Sequence, residues 1–67
     1  MVRVPGTVLA GLEVVRLEGR TNMFDRKAVQ FYANEHRAHE TVAWLEEHPA
    51  EYSRGLFEGF IAEDPDA

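Results

Sequence analysis

The sequence predicts an all-α fold, a small bundle of three to four short helices. Apolar residues recur at three- and four-residue spacings along most of the chain. Proline and glycine punctuate it where helices begin and stop, at Pro5, Gly19 and Pro49. Val2-Arg3-Val4 is the only alternating stretch and is too short to predict a strand.

Helix 1 is predicted over residues 5–18. Pro5 suits a first helical position, because its missing N–H would have been unpaired there. Gly19 is free to take the left-handed conformation that closes a helix. Val8, Leu12 and Val15 form one apolar stripe, widened by Leu9. Ala10, Val14 and Leu17 form a second, about 180° round. Glu13, Arg16 and Glu18 interrupt this surface. A helix apolar on opposite faces calls for burial on both. Three short companions cover one face comfortably and the second only with difficulty.

Helix 2 is predicted over residues 26–36. Asp25 is a good N-cap, since its carboxylate accepts unpaired N–H groups of the next turn. Phe24 and Val29 are spaced as a hydrophobic staple. The inward arc is Ala28, Val29, Tyr32 and Ala33, with Phe31 beyond one edge. The polar run from Asn34 to Thr41 predicts a tight turn, with one long helix through Glu47 as the competing reading.

Helix 3 is predicted over residues 40–47, facing inward through Val42 and Leu45. Trp44 points about 100° away from Leu45, outside that arc. Pro49 disfavours helix at His48 and opens helix 4, predicted over residues 49–61. Glu51 sits in its first turn, where negative charge is favoured. Tyr52, Leu56 and Phe60 form its stripe, widened by Phe57, with Gly55 and Gly59 on the neighbouring edge. Residues 1–62 are thus expected to form one domain, and 63–67 a flexible acidic tail.

Sixty-seven residues make a marginal core, burying only about 60% of the surface the unfolded chain exposes. Such scaffolds lean on disulfides, metals or self-association. Cysteine is absent, which excludes disulfides and thiolate metal sites. Apolar residues at 45% and charged ones at 28% are a globular composition. No apolar run is long enough to span a bilayer, so a cytoplasmic protein without membrane contact is expected. Twelve acidic against seven basic residues give a net charge of −5, which disfavours a phosphate backbone as partner.

Signals for chemistry are weak. His36 and His39, flanked by Glu35 and Glu40, would share a face on a continuous helix, but two imidazoles do not complete a metal site. Ser53 is the only serine and lacks a nucleophile elbow. No phosphate-cradling glycine loop is present. Neither a catalytic site, a metal nor a cofactor is expected. Helices 2 and 3 invite a helix-turn-helix reading, with Arg37, His39 and Thr41 as nucleic-acid contacts. Against it stand the net charge and the acidic end of helix 3.

Ala10, Val14, Leu17, Phe31 and Trp44 are the candidate interface residues, because apolar surface left outside a small core marks a contact site; for Trp44 the alternative is that it caps the core from one side. A homodimer and a further protein partner are expected. Gly19, Thr21, Asn22, Phe24 and Asp25 are assigned to turn and cap the connection between helices 1 and 2.

The segment from Gly19 to Asp25, with Val29-Gln30 after it, resembles a family of small uncharacterised proteins of tailed phages and prophages. The family's pattern is Gly-x-Thr-Asn-Met-Phe-Asp after a short first helix. An amphipathic helix follows, then an acidic stretch and a tyrosine, here Trp44-Leu45-Glu46-Glu47-His48 and Tyr52. The likeness runs from about Pro5 to Tyr52, and its specific part is Thr-Asn-Met-Phe-Asp. The resemblance implies a viral or proviral origin and carries no activity. The expected function is a non-enzymatic accessory module that self-associates through helix 1. The alternative is a helix-turn-helix regulator using helices 2 and 3.

Overall fold

Pro5, Asp25, Pro49 and the glycines divide the chain into short elements, and the computed structural model describes them over residues 1–63. Their order is β1 (Val2–Val4), α1 (Gly6–Glu18), α2 (Arg26–Glu35), α3 (His39–Glu47), α4 (Pro49–Glu58) and β2 (Phe60–Ala62). The fold is a small helical domain with a two-stranded sheet. The acidic tail expected over 63–67 lies, beyond Glu63, outside the described residues.

The sheet corrects the expectation that no strand would form. β1 and β2 pair in parallel, with Val2 opposite Phe60 and Val4 opposite Ala62. Gly59 O accepts from the Val2 N–H, and Val4 O accepts from the Glu63 N–H, which extends the pairing at both ends. Two strands alone are marginal in water. Here Val2 and Val4 turn inward and are buried, while Arg3 faces out. The pairing also shortens the last helix. Gly59 takes φ 93°, its N–H closes on Gly55 O, and Phe60 begins a strand instead of a further helical turn.

The first helix starts one residue later than expected, with Pro5 extended at the N-cap and Pro5 O accepting from Val8 and Leu9. Gly19 ends it in the left-handed conformation, φ 70°. Between α2 and α3 the chain does turn. Arg37 adopts φ 60°, which interrupts the helix and excludes the single long one.

The core gathers Val2, Val4, Val8, Leu12, Val15, Val29, Ala33, Leu45 and Tyr52, each at most 4% exposed. α1 therefore buries its Val8–Leu12–Val15 stripe. The inward arc of α3 is rotated from the expected one: Thr41, Trp44 and Leu45 are buried, while Val42 is half-buried. Gly11 permits this rotation. A Cβ there would overlap the Thr41 side chain, so the missing side chain lets α3 close onto α1. Thr41 then donates its hydroxyl to Val8 O at 3.3 Å, satisfying a buried polar group.

Candidate protein-interaction site

The connection from α1 to α2 is built by its own side chains. Asn22 Oδ1 accepts from the Phe24 N–H at 2.9 Å, and Asn22 O accepts from the Asp25 N–H at 2.9 Å. Asp25 Oδ1 accepts from the Ala28 N–H at 3.2 Å, capping α2. Turn chemistry thus occupies Asn22 and Asp25. Thr21 is half-buried in the same connection. Phe24 remains 62% exposed, and its ring leans edge-on against Phe57 of α4 at 5.7 Å. Met23 O accepts from the Tyr52 hydroxyl, fastening the connection to α4.

An apolar groove of about 230 Å³ lies between α1 and α4. Leu9, Leu12, Met23, Leu56 and Phe60 line it, with Gly55 at its side and Glu13 and Arg16 on its rim. Gly55 is small because Phe60 folds over it; a Cβ would run into the ring. Phe60 also stacks on Tyr52 at 5.9 Å and meets Trp44 edge-on at 6.2 Å. Sequence reading missed this groove, since its lining is shared among α1, the connection, α4 and β2. Its local signals are Leu9 and Leu12 on the inner stripe of α1 and Leu56 and Phe60 on the stripe that follows Pro49. Glu13 and Arg16 form an ion pair at 2.7 Å on α1. The hydrogen bond to Glu13 and then its charge hold the Arg16 guanidinium above its ordinary pKa.

Beyond that rim lies the second stripe of α1. Ala10 is exposed, Val14 is 42% exposed and Leu17 is 73% exposed. Phe31 on α2 is 58% exposed and meets Tyr32 edge-on at 5.1 Å. Trp44 requires a correction. It is only 9% exposed, held between His48, stacked at 5.2 Å, and Phe60, so it is a core residue and no surface anchor. Phe57, which its spacing places beside the stripe of Tyr52, Leu56 and Phe60, is instead 79% exposed.

The nucleic-acid contacts divide differently. Arg37 and His39 are exposed, but Thr41 is fully buried and committed to α1, which removes it from the set. The outward face of α3 presents His39, Glu40, Ala43, Glu46 and Glu47. It carries no lysine or arginine.

The two histidines of the polar run are separated by the turn at Arg37. His36 Nε2 lies 3.0 Å from Glu18 Oε1 and ties the end of α2 to the end of α1. Among the described residues, no group of three or more potential ligands is placed to hold a metal ion. Among the same residues, no helix is long and apolar enough to cross a membrane.

The model of a family described as a domain of unknown function (DUF5049) matches residues 6–59. The chain belongs to that family. The DUF5049 match begins with α1 and ends at Gly59, so it holds all four helices and, apart from Phe60, the lining of the groove between α1 and α4. Neither the curated proteins nor the solved structures gave a match.

Proposed function

We propose that this chain is a small non-enzymatic interaction module that self-associates through the outer face of α1. The exposure of Val14 and Leu17 carries the reading. A core of ten buried apolar residues is closed around the inner face, yet two large aliphatic side chains on the same helix stay in water. Burying them against another chain stabilises the helix by about 25 cal/mol per Å² of apolar surface removed. A chain of this length without cysteine has few other means of enlarging its core.

The groove supports a protein partner over a small substrate. At about 230 Å³ it falls below the range of about 300–1,000 Å³ usual for small-molecule pockets. Its lining is apolar apart from the Glu13–Arg16 pair, which offers room for an apolar side chain of a protein partner. The acidic outward face of α3 and the burial of Thr41 favour no nucleic-acid reading. The Gly19–Asp25 segment supports a viral or proviral source and action in the host cytoplasm. The neighbouring genes test that part of the reading, and a setting unrelated to phages would overturn it.

Sedimentation velocity over a range of protein concentrations tests self-association. The expected result is a species heavier than the 7.6 kDa chain that grows with concentration. Val14→Glu and Leu17→Glu should each return it to a monomer with unchanged helical circular dichroism. A wild-type monomer at every concentration, unaffected by either substitution, would overturn the reading.

A further inference from the structure

We draw no further inference here: the strongest candidate, the apolar groove between α1 and α4, carries none, because its rim charges Glu13 and Arg16 are spent on each other and nothing in the structure shows what covers its lining.

Discussion

Thr41 of α3 sits where Gly11 leaves α1 without a side chain, and its hydroxyl reaches the α1 backbone through that opening. Alanine in a helix interior is ordinarily more stable than glycine by about 1 kcal/mol. At this position the sign reverses. A Cβ on residue 11 would stand 2.9 Å from Thr41 Cβ and 3.1 Å from Ala38 Cβ, and closer still to the hydroxyl. Gly11→Ala should therefore destabilise the fold by about 1–3 kcal/mol, as overpacking does. Urea denaturation measures it, and a double-mutant cycle locates the cause. In a Thr41→Ala background the same substitution should cost less, because the hydroxyl no longer blocks the Cβ. Equal costs in both backgrounds would place the strain elsewhere.

Gly55 and Phe60 stand in a similar relation. The Phe60 ring covers Gly55, and a Cβ there would come within 2.7 Å of Phe60 Cδ1. Gly55→Ala should push the ring off its stack with Tyr52 and its edge contact with Trp44, at a cost of about 1–3 kcal/mol. Trp44 is the only tryptophan, so its fluorescence reports the displacement directly. An emission spectrum and a stability both equal to the wild type would show that the ring accommodates the methyl group.

The two glycines mark where sequence reading stopped. Helix count, the cap at Asp25, the stop at Gly19 and the inner stripe of α1 all follow from chemistry within a few neighbouring residues. The sheet does not, because Val2 meets Phe60 from the far end of the chain. Phe60 also falls on the four-residue spacing of Tyr52 and Leu56, so periodicity counts it as helix although Gly59 ends α4 just before it. Trp44 and Thr41 were misplaced for a related reason. Hydrophobicity puts Val42 and Leu45 inward, whereas the gap at Gly11 rotates α3 to bury a threonine and the tryptophan. The outer stripe of α1 was legible because it belongs to one helix. The groove was not, because four segments share it.

The Asn22–Asp25 connection makes its own prediction. Asp25→Ala removes the acceptor for the Ala28 N–H and should cost about 0.5–2 kcal/mol. Asn22→Ala removes the acceptor for the exposed Phe24 N–H, which water can replace, and should cost less. Because both side chains serve the turn, neither substitution should alter association once the protein is folded. Thermal unfolding and sedimentation of the two variants check the two statements separately. A loss of association in folded Asn22→Ala would assign Asn22 to a binding surface.

Tyr52 gives the fold an alkaline limit. Its ring is buried, its hydroxyl donates to Met23 O, and burial pushes its pKa up to about 12. In the unfolded chain a tyrosine titrates at about 10. Between those values the folded protein keeps a proton that the unfolded chain has released, so stability falls as pH rises. The contribution is fully present below about pH 10 and is lost by about pH 12. Tyr52→Phe has no hydroxyl and leaves Met23 O without this donor, so at neutral pH it should be less stable by about 0.5–1.5 kcal/mol. With rising pH the wild type should lose that advantage, because only it must hold a buried phenol in its protonated form. Urea denaturation of both proteins from about pH 8 to about pH 12 follows the difference across the two titrations. A gap that stays constant over that range would mean that the folded protein does not raise the Tyr52 pKa.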